Sequence, residues 1–124
     1  MRTKVRVSGI IISNNQILLI HRKKEGKEYW VFPGGGVEEG ETNKEAVVRE
    51  VKEETSLEVN KVKLAFDNFY YCEVEYAKPE LGGPEKVRMT ADNWYQPEWV
   101  KLSRIKDLNV YPEEGKRRLL EGGI

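Results

Sequence analysis

Residues 3–12 alternate between apolar and polar positions and then turn fully apolar at Ile10-Ile11-Ile12. That is the pattern of a strand entering a core. Asn14-Asn15 follows as a tight hairpin turn, because asparagine tolerates positive φ. Gln16 to His21 reads as the returning strand, and Arg22-Lys23-Lys24-Glu25-Gly26-Lys27 as a charged loop. That loop is read as solvated, with phosphate contact as the competing reading. Tyr29 to Phe32 is a short aromatic strand leading to Pro33 and the glycine loop Gly34-Gly35-Gly36. The periodicity then changes from two to 3.6. Thr42 and Glu45 have the spacing of a capping box, and a helix is predicted from about Asn43 to Thr55. After it, Leu57 to Ala77 reads as one or two long strands with a bend near Asp67-Asn68. Lys78 to Pro84 is rich in turn residues, Glu85 to Thr90 is a strand or part of a long loop, and Ala91 to Pro97 is a loop. Glu98 to Leu102 is a strand, Ser103 is placed to cap a short turn, and a last helix runs from about Glu113 to Glu121, closed by Gly122-Gly123.

At about 100° per residue, Glu50, Glu53 and Glu54 fall on one arc of the first helix, with small Ala46 beside them. Val47, Val48 and Val51 form the neighbouring arc and can bury against a sheet. Arg49 stands one turn before Glu53, where it can orient a carboxylate. Three carboxylates within one and a half turns repel one another, and a hard cation with oxygen ligands removes that repulsion. Magnesium takes one or two carboxylates, several waters and phosphate oxygens. A solvated acidic face is the bland alternative, but the glycines just upstream permit close approach of a ligand to the backbone. Loop and helix together suggest a phosphate-and-magnesium site.

Composition narrows the remaining choices. The chain has 124 residues, read as one domain spanning 1–124, with 21 basic and 21 acidic side chains. That balance leaves no electrostatic footprint for nucleic acid or a membrane surface. The single cysteine, Cys72, excludes an internal disulfide and fits a reducing cytoplasm. The apolar runs are too short to span a membrane, and no signal peptide is visible. His21, the only histidine, reads as structural rather than catalytic.

From Gly35 the order is Gly, five residues, Glu41, seven residues, Arg49-Glu50-Val51-Lys52-Glu53-Glu54, one residue, Ser56, Leu57. This resembles the Nudix box, the signature of hydrolases of nucleoside diphosphates linked to another group. One position departs: Ser56 stands where the family pattern has glycine. That position follows the helix, where a left-handed residue is favoured as glycine. Serine there costs about 1–2 kcal/mol if the conformation is kept, so a modest stability cost is expected rather than lost chemistry.

The resemblance implies an α/β (α+β) fold, a Nudix-like α/β/α sandwich with a mixed curved β-sheet between helices. It implies a magnesium-dependent pyrophosphohydrolase, with manganese as the alternative ion, acting on a small nucleotide-diphosphate substrate by water attack at phosphorus. By the same resemblance Glu50 and Glu54 are the main metal ligands, Glu53 lies beside them, and Gly34 supplies a main-chain carbonyl. Gly35 and Gly36 line the phosphate path, and Glu41 supports the site from behind through Arg49. Glu98, just before the Trp99-Val100 strand, matches a metal-reaching glutamate of several family members, and the general base is left open between Glu53 and Glu98. Phe69, Tyr71, Trp94 and Tyr95 are candidates to stack the base; Phe69 and Tyr71 read rather as core or strand surface, and Trp94 and Tyr95 stand in a polar loop. Two other classes stand beside the hydrolase: a catalytically inactive nucleotide-sensing module and an isomerase on the same scaffold. The intact acidic set argues against the first, and the scarcity of further acid–base residues against the second. The resemblance also brings a homodimer as an expectation, with no interface readable.

Overall fold

The computed structural model describes residues 2–80, 90 and 93–122. Its elements run β1 (Arg2–Ile10), β2 (Ile12–Ser13), β3 (Gln16–Lys24), β4 (Lys27–Val31), β5 (Gly34–Glu38), α1 (Asn43–Thr55), β6 (Val59–Phe66), β7 (Phe69–Val74), β8 (Asn93–Lys101), a 3-10 helix (Leu102–Asp107), β9 (Val110–Tyr111) and α2 (Glu113–Leu120). The strands divide over two mixed sheets. One has the order β5-β1-β7-β6, with β1 and β7 parallel. The other has the order β2-β3-β4-β9, with β8 paired to β3 and β9 parallel to β4.

Two cores follow from this arrangement. Val47 and Val51 of α1 pack with Val7, Ile11, Leu18 and Tyr70. On the other side Leu19, Trp30, Phe32 and Val100 pack with Ile105 of the 3-10 helix and Val110. Leu18 and Leu19 are adjacent in β3 yet belong to different cores, because successive side chains of a strand point to opposite faces. Helical elements therefore cover the strands from two sides, as the expected sandwich requires.

Local chemistry explains the turns. Asn14 and Asn15 both take positive φ, 53° and 61°, and join β2 to β3. The bend expected at Asp67-Asn68 is the β6–β7 turn, with Asp67 at φ 45°. The capping box forms fully: the Glu45 amide donates to Thr42 Oγ1 at 3.1 Å, and the Thr42 amide to Glu45 Oε1 at 2.8 Å.

Several sequence expectations need correction. The charged stretch 22–27 is not a loop. β3 continues to Lys24, turns on Glu25 (φ 52°) and Gly26 (φ 80°), and returns as β4. Residues 93–97 are not a loop either: β8 starts at Asn93 and pairs with β3 residue for residue from Lys24↔Asn93 to Gln16↔Lys101. Cross-strand pairing outweighs the weak strand preference of Asn93, Gln96 and Pro97. Proline is tolerated because β8, among the described strands, pairs on one side only and so forms an edge. The glycine loop, finally, is strand β5, paired antiparallel to β1. Ser103 lies within the 3-10 helix, whose N-cap is Lys101 and which has no side-chain cap. Gly82-Gly83-Pro84, most of the stretch from Glu85 to Thr90, Ala91 and Gly123 lie outside the described residues.

Ser56 takes the left-handed conformation expected of the position, φ 65° and ψ 8°. Its amide donates to the Lys52 carbonyl at 2.9 Å, and its hydroxyl donates to the Glu80 carbonyl at 2.7 Å. Glu80 N–H in turn donates to the Thr55 carbonyl at 2.9 Å. The hydroxyl thus ties the end of α1 to the segment after β7, which glycine cannot do. Ser56→Ala keeps the backbone strain and loses that bond, so it should lower unfolding free energy by about 1 kcal/mol in urea titrations. Ser56→Gly relieves the strain as it loses the bond, and should lie closer to the unmodified protein. If the glycine variant falls below the alanine variant, strain and hydroxyl bond do not offset each other in this way.

Burial pushes the Cys72 thiol from 9.0 up to about 12. The folded thiol is therefore neutral wherever the unfolded one is also neutral. As pH rises from 9.0 to about 12 the unfolded chain ionises first, and stability is lost. At pH about 9 iodoacetamide should label Cys72 only as fast as the protein opens, with rapid labelling appearing at the denaturant midpoint. Rapid labelling of the native protein would contradict this burial.

Candidate active site

The site forms where β5 crosses the acidic arc of α1, against the buried Glu50. Glycine is required there by contact, not by turning. A Cβ on Gly35 would lie 2.6 Å from Glu50 Cδ, and one on Gly34, whose φ is 159°, would lie 2.0 Å from the Val7 carbonyl oxygen. The strand is therefore pressed between β1 and a buried carboxylate. The Gly34 N–H donates to Glu54 Oε1 at 2.7 Å and fixes that carboxylate from the main chain.

Glu50 is only 3% exposed. A buried carboxylate is costly unless paired, and Arg49 supplies part of the pairing. Its Nη1 donates to Glu50 Oε1 at 2.9 Å and reaches Glu53 Oε1 at 3.5 Å. Its Nε and Nη2 grip Glu41 as a fork, at 2.7 and 2.9 Å, and Nη2 also donates to the Gly36 carbonyl at 3.1 Å. Glu41 Oε1 further accepts the Glu38 N–H at 3.0 Å. The Glu41 carboxylate, and then Glu50, hold the Arg49 guanidinium firmly in its charged form, above its ordinary pKa. One cation thus links Gly36 of β5 and Glu41 after it to Glu50 and Glu53 of the acidic arc.

A cleft of about 390 Å³ opens beside this cluster. Gly34, Gly35, Glu50 and Glu54 line one wall; Arg22 and Tyr95 line the other. Of the residues singled out from sequence, five therefore meet here: Gly34, Gly35, Glu50, Glu54 and Tyr95. Arg49, Glu41 and Gly36 stand behind the wall, joined by the bonds just described. Glu53, beside Glu54 on α1, is half-exposed and touches Arg49.

Glu98 and Trp94 are not brought to the cleft. Partners directly opposite in an antiparallel pair project from the same face, and the register is Leu19↔Glu98 and Ile20↔Pro97. Ile20 lines the cleft, whereas Leu19 belongs to the core with Trp30 and Val100. Glu98 shares Leu19's face, where its Oε2 lies 3.0 Å from His21 Nδ1. Glu28 Oε2 lies 2.6 Å from His21 Nε2, Trp30 stacks on the ring at 4.3 Å, and Trp94 meets its edge at 5.1 Å. His21 and Glu98 are thus one structural cluster bridging β4, β3 and β8. Arg22 is a cleft residue that the polarity of residues 22–27 conceals, because the stretch reads as a loop. Continuing β3 to Lys24 with a period of two puts Arg22 on Ile20's face.

Among the described residues no three His, Cys, Asp or Glu side chains converge on one metal position. The donor set on the cleft wall is two carboxylates one helical turn apart. That fits a hard divalent ion, which completes its shell with water and phosphate oxygens, and fits poorly an ion that needs a full protein cage.

Comparison with known proteins agrees with this geometry. The NUDIX domain model matches residues 2–115. An ADP-ribose pyrophosphatase of Methanocaldococcus jannaschii is 58% identical over 60 residues, covering 48% of this chain and 35% of that protein. An RNA pyrophosphohydrolase of Psychromonas ingrahamii is 46% identical over 56 residues, covering 45% of this chain and 31% of that protein. These matches span about a third of the relatives' length. A NUDIX-family hydrolase from Clostridium perfringens superposes with a TM-score of 0.68 at 17% identity, over 95% of this chain and 94% of that one, and shows the shared fold. With the family model covering nearly every residue from β1 to α2 and the acidic arc laid under the glycine strand, the chain belongs to the Nudix hydrolase family.

Proposed function

We propose that this protein is a magnesium-dependent pyrophosphohydrolase that cleaves a nucleoside diphosphate linked to another moiety by water attack at phosphorus. The observation that carries the reading is the placement of Glu50 and Glu54 on one wall of the cleft under the Gly34-Gly35 backbone. Residue roles follow from the contacts. Glu50 and Glu54 would hold the ion, with the Gly34 carbonyl as the main-chain ligand implied by the resemblance. When bound, such an ion neutralises diphosphate charge and lowers the pKa of attacking water.

The chain's own contribution is orientation. The Gly34 N–H aims Glu54, and Arg49 aims Glu50 while Glu41 holds Arg49 in place. Gly35 lets the substrate's phosphates approach the main chain. Of the two candidates for the base, Glu53 stays beside the acidic cluster, whereas Glu98 is engaged by His21 on the opposite face. We therefore assign proton removal to Glu53. A manganese ion suits the same oxygen donors. The substrate of this reading is a small nucleotide. Among the described residues no helix is long and apolar enough to cross a membrane.

The test is phosphate and pyrophosphate release from nucleoside triphosphates, dinucleoside polyphosphates and nucleotide sugars. Turnover should require magnesium and stop on chelation. Glu54→Gln should lose more than the roughly 10–100-fold typical of removing an outer partner of a metal ligand, and Glu41→Gln should fall within that range. Gly35→Ala should lower kcat strongly, because its methyl group displaces the Glu50 carboxylate. Wild-type levels of turnover in Glu54→Gln would refute the ligand assignment.

A further inference from the structure

Arg22 contrasts with Arg49 in what its donors find. A guanidinium carries five N–H donors. Arg49 spends its donors on Glu41, Glu50, Glu53 and the Gly36 carbonyl. Among the described residues the Arg22 side chain has one hydrogen bond, Nη2 to Asn93 Oδ1 at 3.4 Å, near the limit for such a bond. Among the described residues it has no carboxylate partner, and its Nε is buried without an acceptor. An unmatched buried donor is costly and gains by meeting an acceptor.

What holds Arg22 is aromatic contact. Its cross-strand neighbours are Tyr29 on β4 and Tyr95 on β8. Cζ lies 4.1 Å from the Tyr95 ring centroid and 5.5 Å from that of Tyr29. Stacking fixes the plane of the guanidinium and leaves its edge for an acceptor. The group is thus placed in advance, and a ligand would bind it with little further loss of side-chain freedom. Arg6 lines the same cleft and adds a second positive charge. Arg6 stands on β1 beside the glycine strand, paired with Gly36, whereas Arg22 comes from the other sheet, so the cleft carries carboxylates and guanidinium groups together.

We propose that Arg22 is a specificity-determining residue, which receives a phosphoryl group beyond the diphosphate held at Glu50 and Glu54. The cleft would thereby select substrates with a third phosphate, of the nucleoside triphosphate kind, over diphosphates that end in a sugar. This rests on the hydrolase reading above. An ion held by the carboxylates neutralises only part of a triphosphate's charge, and the remaining phosphoryl oxygens match the fork of an arginine. A purely structural role, a strut between two tyrosines, would not distinguish the substrates.

ATP and ADP-ribose form the test pair, since both carry adenine and only the first has a third phosphate. For the unmodified protein and for Arg22→Gln and Arg22→Lys, kcat/KM would be measured on both with magnesium. Equilibrium binding of α,β-methylene ATP and ADP-ribose would be measured by calorimetry. Circular dichroism and thermal melting would check folding. The ratio of ATP to ADP-ribose kcat/KM should fall about tenfold or more in Arg22→Gln, mostly through KM. Arg22→Lys, which keeps the charge without the fork, should recover part of it. Equal losses on both substrates, or no change in the ratio, would overturn the assignment. If the unmodified protein turned over neither compound nor any other on the wider panel, the hydrolase reading would fail by itself. The calorimetric ratio would then decide the Arg22 proposal: an Arg22-dependent preference for the methylene triphosphate supports it, and equal binding overturns it.

Discussion

The buried charge of Glu50 is the constraint from which the rest of the site follows. Taking a carboxylate out of water costs several kcal/mol unless a cation and hydrogen bonds replace the solvent. Arg49 provides the cation but cannot do so alone, because a long side chain must itself be held. Glu41 clamps it with two bonds, and the Gly36 carbonyl takes a third donor direction. The demand then spreads into the backbone. β5 must pass so close to Glu50 that only glycine fits at position 35. A run that looks like punctuation in the sequence is the contact surface of a buried ion pair.

The first helix is fully legible in the amino-acid sequence. Its cap, period and apolar stripe are all local, and Thr42, Glu45, Val47 and Val51 do what their spacing implies. The strands around it are less so. Gly34 to Gly36 lack strand preference, Arg22 to Lys24 are too polar to look paired, and Pro97 argues against a strand. Each is a strand because of a neighbour distant in sequence: β1 for the glycines, and β3 and β8 for each other. Pairing of that kind leaves only a faint trace in composition. The acidic set at Glu50 and Glu54 can be found because one helix presents it. On the far wall Tyr95 stands out as an aromatic residue but Arg22 does not, since the two meet only through register.

Register also divides the labour between neighbouring residues. Ile20 and Arg22 face the cleft, while Leu19 and His21 face the second core. The same alternation in β8 sends Tyr95 to the cleft and Glu98 to His21. The resemblance suggests a metal ligand at Glu98; in this structure its carboxylate lies beside an imidazole stacked on Trp30. A single-residue slip of β8 against β3 would exchange the two sets, so the cleft chemistry depends on the long ladder between these strands.

That ladder has an outer rim. β8 has β3 on one side, and midway along its length stands Pro97, opposite Ile20. Proline has no N–H, so the row of donors that the rim would offer an incoming strand is broken at its centre. Trp94, Tyr95 and Trp99 lie along this strand, and aromatic residues on a sheet edge favour pairing with another chain. Among the described strands none pairs on that side, and the proline that disguises the strand in the sequence also interrupts it as a template for another chain.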